Sequence, residues 1–139
     1  MRSVLARWNI ITLARSLVGV PFLHQGRSLK GLDCVGVLVY IAKELGIATV
    51  DYTQYSREPD GKILQEKLNT YLHRKIIIDF SPGDILLMID TKMPCHVAVY
   101  TDKGTIIHAN SKLGKVVEHR LSEDWRRKIR GVYTFPGVT

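Results

Sequence analysis

The segment Val35–Leu45 (Val-Gly-Val-Leu-Val-Tyr-Ile-Ala-Lys-Glu-Leu) limits what this chain can fold into more than any other. Counted from Cys34, the apolar positions Leu38, Ile41, Ala42 and Leu45 fall on one face of a 3.6-residue period. Val35, Val37 and Val39 make the remaining sides apolar as well, so the helix has to be wrapped by the fold rather than laid on a surface. Asp33 is a good N-cap and Gly46 a good left-handed stop, which brackets the helix and sets Cys34 on its first turn.

The rest of the chain must supply the wrapping. Val4 to Val18 repeats apolar residues at near-helical spacing, and Gly19 and Pro21 end that helix. Phe22 to Lys30 reads as a polar loop leading to Cys34, and Asp51–Gly61 as a long surface loop in which Tyr52 and Tyr55 either pack onto the core or line a cleft. Lys62 to His73 suits a short amphipathic helix. From Ile76 the period changes. Ser81-Pro82-Gly83-Asp84 is a turn, followed by strands at Ile85–Ile89, His96–Thr101, Thr105–Ala109, Lys115–Glu118 and Ile129–Phe135, with a hairpin at Asp102-Lys103-Gly104. Helices first and an antiparallel meander second make an α+β fold.

At 139 residues and 45% hydrophobic content the chain is most simply one domain, residues 1–139, with a core that needs no staples. Two cysteines, Cys34 and Cys95, are too few for a disulfide framework. No apolar run approaches the roughly 18 residues of a membrane span. Arg2, Arg7 and Arg15 interrupt any signal-peptide core, so no secretory signal is expected. The net charge of +7 suits an acidic polymer such as a bacterial cell wall. It does not amount to a nucleic-acid patch: the basic residues are scattered, and the one dense cluster, Arg126-Arg127-Lys128 with Arg130, lacks glycine-rich or aromatic interleaving.

A thiol on the first turn of a helix meets unpaired N–H groups and the positive dipole end, both of which favour the thiolate. Asp33 opposes this with its own charge unless capping occupies its carboxylate. Two histidines complete the pattern. His96 opens one hairpin strand and His108 closes the next, so pairing across the turn at 102–104 brings them near each other. A helix-borne cysteine facing two strand-borne histidines is what thiol catalysis requires: one imidazole takes the proton and a second group orients it. Cys34, Cys95, His96 and His108 would also make a four-ligand zinc set, but Cys95 and His96 are strand neighbours and point to opposite faces. Cys95 is therefore read as buried and inert, and neither metal nor cofactor is expected. His24, His73 and His119 show no partner in the sequence and receive no catalytic role, although His24 lies in the loop flanking the cleft.

At these residues the chain resembles the NlpC-type papain-like cysteine peptidases of bacterial cell walls, most closely those found among phage tail proteins. The matching stretches are Gly19-Val20-Pro21-Phe22, Asp33-Cys34-Val35-Gly36, Pro82-Gly83-Asp84, His96-Val97-Ala98-Val99-Tyr100 and Ile107-His108-Ala109, which span nearly the whole chain. The resemblance implies a papain-like fold in which N-terminal helices, one bearing the nucleophile, pack on a C-terminal antiparallel sheet. It implies cleavage of peptidoglycan stem peptides, often between D-glutamate and the following diamino acid. Cys34 is then the nucleophile, His96 the general base and acid, and His108 the orienting third residue. Peptidoglycan peptides and other tail proteins are the partners it suggests, in a phage virion or in the bacterial cytoplasm.

Two departures stand out. The family has a tyrosine where this chain has Phe22, and a Gly-Gly pair where it has Gln25-Gly26. His24 and Gln25 are candidates for the vacated polar role, with Asp33 beside them on the substrate side. Gln25 would offer its side-chain N–H to the oxyanion alongside the backbone N–H of Cys34. Two other functions fit the same residues: a structural or assembly module of a tail with little activity, and a thiol acyltransferase or amidase on another substrate.

Overall fold

In the computed structural model, which describes residues 6–48, 51, 55, 61–78, 80–90 and 93–138, helices precede an antiparallel sheet as the change of period implies. Helix α1 covers Arg7–Ser16 and buries Ile10, Ile11 and Ala14. A small hairpin, β1 (Arg27–Ser28) and β2 (Gly31–Leu32), interrupts the stretch read as a plain loop. Helix α2 (Cys34–Leu45) buries Val35, Val37, Leu38, Val39, Ile41 and Ala42, so it is apolar on several sides because it is covered on several sides. Gly46 ends it at φ 69°, the left-handed stop that a Cβ would strain.

Helix α3 covers Lys62–Tyr71. It stops short of His73, because Leu72 is extended and buried and delivers the chain to the sheet. His73 therefore opens strand β3 (His73–Lys75) and does not sit at a helix end as the sequence suggested. Ile76 and Ile78, 71% and 85% exposed, are in the turn beyond β3 and not in a strand of their own. The remaining elements are β4 (Ile85–Asp90), β5 (Met93–Tyr100), β6 (Thr105–Asn110), β7 (Lys115–Arg120), the one-turn helix α4 (Glu123–Arg126) and β8 (Ile129–Thr134).

The six-stranded sheet runs β3-β8-β4-β5-β6-β7, antiparallel throughout. The last strand does not extend the meander. It returns between β3 and β4, so the C-terminal segment lies inside the sheet. One face carries Ile85, Leu87, Val97, Val99, Ile107 and Ala109 into the larger core with α1, α2 and α3. Residues of the opposite parity (Leu86, Met88, Ala98, Ile106 and Val132) form a second cluster with Leu121, Ile129 and Trp125.

A buried charge ties the two halves together. Asp84, from the Pro-Gly-Asp turn, is fully buried. It accepts from Arg7 Nη1 at 2.7 Å, Lys75 Nζ at 2.6 Å, the Ser81 N–H at 2.8 Å and the Thr134 hydroxyl. Burial pushes its carboxyl up, but the donors from Lys75, Thr134, Arg7 and Ser81 together outweigh that and hold it below the usual carboxylate range. A depressed folded-state pKa gives stability that is present above the unfolded value of about 3.9 and is lost as pH falls through the folded one. Lys75 and Arg7 keep 21% and 25% exposure, so they regain water if the carboxylate is removed. Asp84→Asn is thus expected to cost about 2–3 kcal/mol near neutral pH, toward the low end for breaking a buried pair. Denaturant unfolding measured from neutral to acid pH should show the gap between variant and wild type closing as pH falls.

Candidate active site

Cys34 occupies the first turn of α2, half-buried at the margin of the larger core. Its neighbour Asp33 is buried and extended, and its carboxylate caps the helix by accepting from the Gly36 N–H at 2.8 Å. Only glycine fits at Gly36, because a Cβ there would collide with the Gly26 carbonyl oxygen of the crossing loop. The same carboxylate gathers that loop. Oδ1 also accepts from Arg27 Nη1 at 3.0 Å, and Oδ2 accepts from the Gln25 N–H at 2.8 Å and from the Tyr55 hydroxyl. Arg27 in turn donates from Nη2 to the Tyr55 oxygen at 2.9 Å. Capping and the guanidinium therefore occupy the Asp33 charge, the condition under which it does not oppose a thiolate on Cys34.

The polar loop is more built than its composition suggested. Gln25 has φ 60°, a left-handed value that favours glycine and explains why a Gly-Gly pair is the alternative at Gln25-Gly26. Its side-chain Nε2 donates to the Tyr55 carbonyl at 2.9 Å. The His24 ring meets the Tyr55 ring edge-on, centroids 5.4 Å apart. Tyr55 thus gathers His24, Gln25, Arg27 and Asp33 beside the start of α2. Burial, then the hydrogen bond to Asp33, raise the Tyr55 phenol well above its usual range, so it remains a donor. Tyr52 lies outside the described residues.

Helix α2 packs against β5 and β6, the strands of His96 and His108. The register pairs Val99 with Ile107, which sets His96 and His108 diagonally on one face of the sheet. Their rings meet edge-on, His96 Nε2 2.8 Å from His108 Nδ1. Ile106 pairs with His119, so β7 places a third imidazole on the next diagonal, its Nε2 2.8 Å from His108 Nε2. The Trp125 ring covers this pair, 5.1 Å from His108 and 4.9 Å from His119, and Lys128 Nζ lies 4.2 Å from its centroid. His108 is almost fully buried. Desolvation first, and then the positive potential of His96, His119 and Lys128, lower its pKa to about 3, so it is neutral near neutral pH.

No role for His119, Arg27 or Trp125 is legible from spacing and pattern alone. For His119 a positional signal is present: the turn around Gly114 sets the β6–β7 register and brings His119 to His108 as the turn at 102–104 brings His108 to His96. Arg27 and Tyr55 carry no such signal, since their partner Asp33 is reached through loops. The described side chains hold no group of three His, Cys, Asp or Glu converging on a metal position. Cys95 lies in β5, with its side chain outside the described set.

Asp33→Ala should remove the cap and orphan the Gln25 N–H and Tyr55 hydroxyl, costing about 2–3 kcal/mol. Asp33→Asn keeps one acceptor oxygen for Gly36 and should cost roughly half as much, about 1–1.5 kcal/mol. Thermal unfolding of the two variants beside wild type measures both.

Residues 19–133 match the NlpC/P60 family. Over 129 residues the chain is 23% identical to the probable peptidoglycan endopeptidase LytE of Bacillus subtilis (strain 168), covering 91% of this chain and 34% of that protein, about a third of its length. In three dimensions it resembles the NlpC/p60 domain of the peptidoglycan hydrolase SagA, with TM-score 0.72 and 17% identity over 94% of this chain and 100% of that one. It also resembles an NlpC/P60 protein of Bacillus cereus ATCC 10987, with TM-score 0.73 and 21% identity over 96% and 41%. A third is the peptidoglycan hydrolase RipB of Mycobacterium tuberculosis, with TM-score 0.63 and 21% identity over 92% and 63%. With the family matched over most of its length and its papain-like fold in place, the chain belongs to the NlpC/P60 family of cysteine peptidases.

Proposed function

We propose that this protein hydrolyses amide bonds in peptidoglycan stem peptides, with Cys34 as nucleophile, His96 as general base and acid, and His108 as the residue that orients His96. The observation that carries the reading is the 2.8 Å contact between His96 Nε2 and His108 Nδ1. Cys34 attacks the carbonyl carbon while His96 takes the thiol proton. The oxyanion draws on the backbone N–H of Cys34 at the helix start. His96 then gives its proton to the leaving amine, and a thioester joins the acyl half of the substrate to Cys34. Water, deprotonated by His96, opens the thioester and restores the thiol.

LytE, SagA and RipB are described as a peptidoglycan endopeptidase and two peptidoglycan hydrolases, which favours a wall substrate. The net charge of +7 is suited to wall peptides with their free carboxylates. Within that class the bond between D-glutamate and the diamino acid is the one the sequence resemblance favours. His24, Gln25 and Asp33 form the substrate-side wall. Action within a phage tail, or in the cytoplasm on recycled wall peptides, rests on the sequence resemblance alone.

Purified peptidoglycan digested with wild type should release stem-peptide fragments whose new termini, read by mass spectrometry, identify the bond. Cys34→Ala should release none above background. Equal release from both proteins would refute Cys34 as nucleophile, and no release from either would favour the assembly role.

A further inference from the structure

The three imidazoles form a chain that ends on the backbone: His119 Nδ1 lies 2.9 Å from the Arg120 carbonyl oxygen. A carbonyl only accepts, so His119 carries its proton on Nδ1. Neutral His119 then offers a bare Nε2 to His108 Nε2, which must donate. Neutral His108 is left with a bare Nδ1, and His96 must donate to it from Nε2. The proton of neutral His96 is thereby assigned, and its Nδ1 is the basic nitrogen.

We propose that His119 is a positioning residue: anchored on the Arg120 carbonyl, it fixes the tautomers of His108 and His96 so that His96 presents an unprotonated Nδ1 to the Cys34 thiol. The inference rests on the reading of Cys34 and His96 as nucleophile and base. It adds a residue beyond the triad, one that touches neither substrate nor thiol. The burial that keeps His108 neutral makes its state a choice between tautomers rather than between charges. The groups acting on His108 are His96 from β5, His119 from β7 and Lys128 from the segment after α4. Glu118, next to His119 in sequence, is engaged by Arg15 at 3.2 Å and by the Thr105 hydroxyl at 2.6 Å. The direction of the relay holds while His119 is neutral. A second proton on His119 would make its Nε2 a donor, reverse each bond and leave the proton of His96 on Nδ1.

The relay also acts on the charged state. Once His96 has taken the thiol proton, its Nε2–H still points at His108 Nδ1. That acceptor is stronger when the opposite N–H of His108 is itself donating, because successive hydrogen bonds polarise one another. Loss of the His119 acceptor should therefore weaken the thiolate–imidazolium pair. A packing role for the ring would not have this effect.

Two measurements on the full chain test the proposal. Nitrogen-15 spectra of histidine-labelled wild type near neutral pH should show His108 protonated on Nε2 and His119 on Nδ1. The rate of Cys34 alkylation by iodoacetamide, resolved from Cys95 by peptide mass, is then followed from about pH 5 to about pH 9. His119→Leu should slow alkylation near neutral pH by about five- to twentyfold and move the profile to higher pH, a small part of what positioned acid–base groups contribute. His119→Gln, whose Oε1 can accept from His108, should recover the rate to within about threefold of wild type. A wild-type His108 protonated on Nδ1, or a His119→Leu profile that overlays wild type, overturns the relay. Alkylation needs no wall substrate, so a protein that fails on peptidoglycan yet shows these shifts refutes the proposed function and leaves the relay intact.

Discussion

The structure depends on the Asp33 carboxylate. It accepts from the Gly36 and Gln25 backbone N–H groups, from Arg27 and from the Tyr55 hydroxyl, and so joins the start of α2, the loop that crosses it and Tyr55 at one point. Charge-assisted bonds of this kind are roughly twice as strong as neutral ones, and a buried carboxylate without them would be expensive. The arrangement also settles a conflict in the chemistry. A bare aspartate beside a nucleophilic thiol would disfavour the thiolate. Once paired with Arg27 at 3.0 Å and saturated with donors, it positions the helix while the N–H groups and dipole act on Cys34.

On the other side, the imidazoles owe their placement to antiparallel register. Diagonal positions on adjacent strands carry His96, His108 and His119 into contact without any loop taking part. A sheet holds such geometry more tightly than loops do, and Trp125 closes over the buried His108 and its neighbour His119. The two sides therefore differ in kind. The carboxylate side is assembled from loops and one short hairpin. The imidazole side is part of the sheet and is fixed by its register.

Much of this was legible in the sequence because its determinants are local. Asp33, Gly46 and the apolar period of α2 state a helix with both ends marked, and Gly104 and Gly114 state two hairpins whose registers decide which histidines meet. What was not legible depends on contacts distant in sequence. Strand β3 forms because β8 inserts beside it, pairing His73 with Thr134; β8 is legible as a strand at Ile129–Phe135, but the basic run His73-Arg74-Lys75 carries no apolar alternation of its own. Arg27 looked like one more surface cation. Its role exists only because residue 55 and Asp33 are brought to it. Gln25 at φ 60° is similar: its strain, of order 1 kcal/mol, is offset by bonds to Asp33 and Tyr55 that no spacing rule reveals.

The two buried carboxylates show how one chain uses the same group for different ends. Asp84 is held by Arg7 from α1 and Lys75 from β3, with Thr134 of β8 as a further donor, so its charge joins the first helix to the sheet edge. Among the described residues Asp33 pairs with the one cation Arg27, and its other donors there are backbone N–H groups and a phenol. Two cations on Asp84 hold its carboxyl in the charged form across the working range, which suits a fixed anchor. On Asp33 the guanidinium of Arg27 and the capping N–H groups engage the charge beside the start of α2. His108, kept neutral by burial, adds direction to His96 without adding a competing positive charge. A thiol site can thus be tuned by cancelling nearby charges as much as by supplying them.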